Sequence, residues 1–249
     1  MNPKDFPLVR DGERTSHAGK AVRNKILLKI PDVEFRLVRQ HLEFVELPNH
    51  LRLHEPGETV EAAYFPNRGL ISIVVAMQDG RNVEAGLVGS EGSVGTALAV
   101  GLRMSPMQHV IQVDGDGFRL EREAVEKVLP SVPQFRYALA RYAVVQGMQT
   151  AQTAACNRLH DVEQRLARWL LMAQDRLNNG WVGITHDFLA TMLGTDRPTV
   201  TLAAKTLQDA GAIEYVRAAV KVVDRKKLEE HSCECYGVIQ QFNGELGVR

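Results

Sequence analysis

The chain has 249 residues, 45% of them hydrophobic and 24% charged, a balance that excludes fibres, disordered tails and disulfide-stapled miniproteins. Its 30 lysines and arginines match 30 aspartates and glutamates, so bulk charge favours neither nucleic acid nor anionic lipid, and a phosphate binder would have to focus its cations locally. No stretch approaches the ~20 apolar residues of a membrane span; the N-terminal segment has no secretory h-region; and three cysteines, Cys156, Cys233 and Cys235, are too few and too clustered for a disulfide framework, so a cytoplasmic protein without membrane contact is expected.

Residues 1–24 are polar, carry Pro3, Pro7, Gly12 and Gly19, show no sustained period and read as a flexible arm. From Leu27 to about Arg122 short apolar runs alternate with turn signals such as Pro56-Gly57, Asp79-Gly80 and the glycines at 86, 89, 92 and 95. That punctuation predicts an antiparallel β-barrel of cupin or jelly-roll type. Leu70–Val75 and Arg81–Ala85, joined across Gln78-Asp79-Gly80, read as a hairpin. Short helices are expected over Asp32–Leu42 before the barrel and Glu121–Leu129 after it.

Pro133 opens a long segment of helix formers, 133–158, with no further proline and only Gly147 as interruption. Its apolar stripe, including Phe135, Leu139, Tyr142, Val145 and Met148, must be buried either on the chain's own barrel or in a two-helix dimer seam. Asp161–Leu177 is strongly amphipathic, with Val162, Leu166, Trp169, Leu170 and Ala173 on one side.

Residues 185–208, THDFLATMLGTDRPTVTLAAKTLQ, predict two short helices around a tight turn. Phe188, Leu189, Met192 and Leu193 form an apolar face, Gly194 supplies a left-handed residue, Asp196 can cap the second helix and Pro198 fits its first turn. This is the helix-turn-helix arrangement, whose second helix enters the major groove. Ile213–Arg217 and Val220–Val223, two alternating strands around Ala218-Ala219, add a wing.

Three stretches, PNRGLISIVVAMQDGRNVEAGLVGSEGSVG (66–95), NRLHDVEQRLARWLL (157–171) and ITHDFLATMLGTDRPTVTLAAKTLQDAGAIEY (184–215), resemble the Crp/Fnr superfamily of transcription regulators. The resemblance implies an α+β chain in five parts: the arm (1–24), a cyclic-nucleotide-binding-like sensor (25–132), a dimerisation helix (133–158), a winged helix-turn-helix (159–235) and a C-terminal tail (236–249). It favours the dimer seam for the long helix, with Leu139, Tyr142, Val145, Met148 and Gln149 as contacts. It also implies a palindromic operator in double-stranded DNA, a homodimer, RNA polymerase as a further partner, and either an unknown small effector or none.

In such regulators an Arg at the start of the recognition helix, a Glu beside it and a second Arg one turn on commonly read the bases. Arg197 matches the first, but Pro198 and Leu202 stand at the other two positions. Arg197 can still make the bidentate contact to guanine. Pro198, Thr199, Thr201 and Lys205 complete the expected helix surface, with Arg217 and Lys221 on the wing for the DNA backbone. From Leu159 onward 12 acidic residues face 11 basic ones, so no blanket positive surface supports docking.

By the same resemblance the effector pocket would comprise Gly89, Glu91, Gly92, Gly95, Thr96 and Thr150. A cAMP site needs a Glu after the glycine turn and an Arg about ten residues later, but Thr96 takes the Glu position and no Arg stands just before Val110–Val113. A buried anion without its cation is costly, so cAMP is not the expected effector. The glycine turn also lacks the ending of a P-loop, and barrel corners explain its glycines more simply. The N-terminal cysteine cluster of an Fnr-type iron-sulfur sensor is absent. His231, Cys233 and Cys235 lie close together, but no fourth ligand is evident from the sequence, so no metal and no cofactor are expected. His50 and His54 read as incidental. No nucleophile elbow, HExxH, Walker A or dinucleotide fingerprint occurs, so catalysis is not expected. The competing reading is a protein-interaction scaffold of the same fold that has lost specific DNA binding.

Overall fold

The computed structural model describes residues 10, 12–177 and 181–245. It divides into two compact units. The first combines the described residues up to Ile71 with Val88–Val145; the second combines Ser72–Leu87 with the described residues from Gln146 onward.

The first unit opens with a segment expected as a flexible arm, and for residues 12–24 that expectation fails. Thr15 and Ala21 form an antiparallel bridge, Arg14, Ser16 and Val22 are buried, and the Arg14 guanidinium donates to the Leu27 carbonyl at 2.6 Å. The polar composition that suggested a loose arm instead supplies hydrogen bonds to the body of the unit; residues 1–9 and 11 of the predicted arm lie outside the described residues. Helix α1 (Lys25–Lys29) is capped by Asn24, and α2 (Asp32–Val38) runs on into a 3-10 turn at Arg39–His41.

An antiparallel sheet follows, with β1 (Glu43–Leu47), β2 (Arg52–His54), β3 (Ala62–Ala76), β4 (Asn82–Val88) and β5 (Gln108–Glu121). Its order is β1-β5-β3-β4, with β2 also paired to β5. Strand β5 closes the register with Phe44 opposite Phe118 and Leu47 opposite Gly115. Phe65, Leu70, Ile71, Phe118 and Leu120 are fully buried, which explains the near-continuous apolar run in β3. Two close approaches need glycine: a Cβ on Gly115 would lie 2.0 Å from the Arg68 carbonyl oxygen, and one on Gly117 2.4 Å from that of Phe65. The predicted β3–β4 hairpin is present, turning at Gly80 with φ 84°. Helix α3 (Arg122–Val128) follows β5.

Helix α4 (Pro133–Leu159) is the predicted long helix, extended to Leu159. Three of its expected seam residues, Leu139, Tyr142 and Val145, are buried within the chain, as is Gln149, whose amide donates to Asn243 at 2.6 Å. The stripe that the sequence offered for dimerisation is therefore mostly an inward face. The exposed face carries Tyr137, Val144 and Met148, of which only Met148 was expected at the seam.

In the second unit the end of α4 is followed by α5 (Val162–Arg176), β6 (Trp181–Gly183), α6 (His186–Leu193), α7 (Arg197–Asp209), β7 (Ile213–Val216), β8 (Ala219–Val222), α8 (Arg225–His231) and α9 (Cys235–Glu245). Residues 236–245, expected as a tail, are instead helical, and Ile239 is fully buried. The wing is a three-stranded sheet of order β6-β8-β7, with a two-residue turn at Arg217-Ala218, one position earlier than expected. Strand β6 escaped the sequence reading because three residues are too short to show a period.

The arm of the hairpin that belongs to this unit carries Glu84, which is buried. Its carboxylate accepts from Ser72 Oγ at 2.7 Å and from Trp169 Nε1 at 2.8 Å. Val83 lies against the turn between α6 and α7, where a Cβ on Gly194 would stand 3.3 Å from its Cγ2. Among the described residues no helix is long and apolar enough to cross a membrane.

Candidate nucleic-acid interface

Each helix of the predicted pair is closed by the residues that suggested it. Thr185 caps α6 by accepting from the Phe188 N–H at 3.2 Å, and Gly194 ends that helix with φ 62°. Asp196 caps α7, accepting from the Thr199 N–H at 2.9 Å, and Pro198 sits in the first turn where its missing N–H costs nothing. Val200, Ala203, Ala204 and Leu207 turn inward and are buried, which leaves Arg197, Pro198, Thr201, Leu202 and Lys205 exposed along the other face. The 3.6-residue period of α7 thus separates a packed stripe from a free one.

Two of the expected contacts are engaged within the chain. Thr199 Oγ1 donates to the carboxylate of its own cap, Asp196, at 2.9 Å. Thr201 Oγ1 donates to the Arg197 carbonyl at 2.9 Å and lies 2.9 Å from His186 Nδ1. The His186 ring stacks on Tyr215 with centroids 4.1 Å apart, and burial followed by the charge of Arg197 holds its pKa below the ordinary histidine range. Arg197 is exposed and pairs loosely with Asp187, N···O 3.3 Å, an acidic neighbour that the sequence reading did not single out. Leu202, placed where a second Arg would stand, is 66% exposed and presents an apolar contact suited to a thymine methyl group. On the wing Arg217 is exposed at the turn, while Lys221 Nζ lies over the Trp181 ring at 5.8 Å.

The glycine turn has a different character. Glu91 is buried and its carboxylate accepts from the Gly89 N–H at 3.1 Å, folding back onto its own loop. A Cβ on Gly92 would stand 2.0 Å from Tyr142 Oη, so the tyrosine ring occupies the space over the turn. Asn24 adds a bond from its amide to the Gly92 carbonyl at 2.7 Å. Gly95 has φ 81° and a Cβ there would meet the Ala62 carbonyl oxygen at 2.6 Å, two independent reasons for glycine, and Thr96 begins a 3-10 turn. Thr150 is half-buried on the part of α4 that belongs to the second unit. The histidines read as incidental include one that is not: His54 is buried, and its Nδ1 lies 3.1 Å from His109 Nδ1. Burial pushes both below the usual range, His109 to about 3.

Residues 164–231, from α5 through α8, match the family model of the Crp-like helix-turn-helix domain. This part of the chain is a Crp-like helix-turn-helix domain. No curated protein sequence matches the chain. Among solved structures it is similar to the c-di-GMP-responsive global regulator CLP of Xanthomonas campestris, with a TM-score of 0.64 and 18% identity over 77% of this chain and 99% of that one. FixK2 of Bradyrhizobium japonicum gives a TM-score of 0.64 at 15% identity, covering 77% and 98%. A CRP-family transcriptional regulator of Thermus thermophilus gives 0.62 at 19%, covering 76% and 96%. The chain therefore has the Crp/Fnr-type fold, an N-terminal antiparallel sheet and long helices followed by the helix-turn-helix.

Proposed function

We propose that the chain is a homodimeric, sequence-specific transcription regulator that lays α7 in the major groove of a palindromic operator. The observation that carries this reading is the free face of α7, where Arg197, Pro198, Leu202 and Lys205 project from a capped helix whose opposite side is packed. Arg197 reads guanine, Leu202 and the Thr201 methyl meet thymine, and Lys205 with Arg217 grips phosphates. Thr199 steadies the Asp196 cap and Lys221 braces the wing.

Dimerisation runs along the exposed face of α4 through Tyr137, Val144 and Met148, which sets the two recognition helices about 34 Å apart. The effector is not cAMP: Glu91 is turned into its own loop and Tyr142 covers Gly92, which supports a different ligand or a ligand-free mode. RNA polymerase is the partner when the operator lies at a promoter.

Selection from random-sequence DNA with the purified full chain tests the reading. Enrichment of an inverted repeat is expected, with Val144→Glu abolishing it and yielding monomer by sedimentation. Failure of the wild-type dimer to enrich any palindrome would favour the scaffold.

A further inference from the structure

The chain's three cysteines come together in the second unit. Cys156 lies near the end of α4, and His160 follows it one helical turn later, just past that helix; Cys233 and Cys235 bracket the junction of α8 and α9. The Sγ atoms of the cysteines and a ring nitrogen of His160 all lie within 4.8 Å of one another. His231, the ligand that the sequence placed nearest, turns away to Glu163 at 2.7 Å. The fourth donor is instead His160, which reaches the cluster only through the fold.

The spacing is that of ligands around a shared ion. Cys156 Sγ and Cys233 Sγ are 3.5 Å apart, and Cys235 Sγ lies 3.6 Å from His160 Nδ1. Donors at the corners of a tetrahedron with zinc–sulfur bonds of ~2.3 Å stand about 3.8 Å from one another. A disulfide would need about 2.05 Å, so Cys156 and Cys233 have the separation of two ligands and not of a bonded pair. All three cysteines are buried, which removes competing water.

The surroundings complete such a site. His160 directs Nδ1 at the sulfur cluster and holds Nε2 3.3 Å from the Glu234 carboxylate, the outer partner that zinc-bound histidines characteristically have. Gln152 Nε2 donates to Cys235 Sγ at 3.0 Å. Three thiolates around a divalent ion leave one negative charge. On α5 the buried guanidinium groups of Arg165 and Arg168 lie close enough to Cys156 to interact with its charge, and the Nε of each has no hydrogen-bond partner.

We propose that Cys156, His160, Cys233 and Cys235 bind one structural zinc ion. Binding displaces three thiol protons to solvent and changes no oxidation state. With four protein ligands the coordination is closed, so the ion cross-links the fold and leaves no position for a substrate. It fastens the α8–α9 junction to the end of α4, with Cys156 and Cys233 77 positions apart.

Elemental analysis of the full chain, purified under reducing conditions without chelator, tests this; one zinc per chain is expected. Cobalt(II) added to the reduced, metal-stripped chain should give the intense visible ligand-field bands of a tetrahedral site and sulfur-to-cobalt charge transfer in the near ultraviolet. Cys156→Ser and Cys235→Ser should each reduce the zinc retained by at least about tenfold. The wild-type cobalt spectrum decides the matter even where a variant fails to fold. A folded, reduced wild-type chain that carries no zinc and gives no cobalt bands would overturn the proposal. So would a Cys156–Cys233 disulfide or an iron-sulfur chromophore in the protein as isolated.

Discussion

Glu84→Gln is expected to stabilise the second unit in alkaline solution and to leave it nearly unchanged in acid. Burial is the largest influence on Glu84 and pushes its carboxyl from 4.5 up to about 7, against the pull of the Ser72 and Trp169 hydrogen bonds and the charges of Arg168 and Arg176. Between those two values the folded state holds a proton that the unfolded chain has released. Stability therefore falls as pH rises from about 4.5 to about 7, and stays lower above that. The difference, at ~1.4 kcal/mol per pH unit, comes to about 3 kcal/mol. Glutamine keeps an oxygen for Trp169 Nε1 and can donate to Ser72 Oγ, so the packing survives while the ionisation is removed. Both tryptophans of the chain, Trp169 and Trp181, lie in this unit, so urea unfolding followed by tryptophan fluorescence at pH 5 and pH 8 reads it directly. A variant less stable than wild type at pH 8, or shifted equally at both pH values, would mean that the carboxylate is better served as an ion in the fold, and the burial argument would be refuted.

Arg197→Ala is expected to cost about 1–3 kcal/mol on the selected operator and to relax one position of it, whereas Lys205→Ala should weaken all DNA alike and reduce the salt slope by about one; gel shifts at several salt concentrations on operator and random duplexes separate the two. His109, depressed to about 3 by burial, gives stability that is full above pH 6.5 and is lost as pH falls toward 3, up to about 5 kcal/mol. Circular dichroism during acid titration should show His109→Gln flattening that limb. Ala218 holds φ 61° at the wing turn, so Ala218→Gly should raise the urea midpoint of the second unit by the equivalent of about 1 kcal/mol.

What the sequence disclosed was whatever rests on local chemistry. The Asp196 cap, the Gly194 turn, the inward stripe of α7 and the Asp79-Gly80 hairpin could all be read because each depends on residues within a few positions of one another. The misplacements share the opposite cause. Leu139, Tyr142 and Val145 have a helix period, but a period fixes only that they share a face; it does not say whether that face meets the chain's own body or a second copy. His160 was invisible as a donor because it joins Cys233 and Cys235 from the far side of the helix-turn-helix. The polar arm misled for a related reason: Arg14 and Asn24 serve distant carbonyls, and polarity in a sequence does not distinguish a solvated side chain from one satisfied inside the fold.

The same distinction bears on the neutral charge count of the chain from Leu159 onward. A tally of 12 acidic against 11 basic residues treats every cation as available to phosphate. Arg165, Arg168 and Arg176 are buried on α5, Arg225 is tied to Asp175 at 2.8 Å, and Lys221 leans on Trp181, so none of these offers a free guanidinium or ammonium group to a duplex. The exposed cations at the recognition helix and wing turn reduce to Arg197, Lys205 and Arg217. With Arg197 given to a base, each copy of the chain brings Lys205 and Arg217 to the phosphates, and a dimer neutralising about four phosphates would show a salt slope of about −4, shallower than that of a regulator with a broad basic face. Weak electrostatic capture places the burden of affinity on the fit of α7 and on two copies acting together, which is the regime in which a single residue such as Arg197 decides which sequence is held.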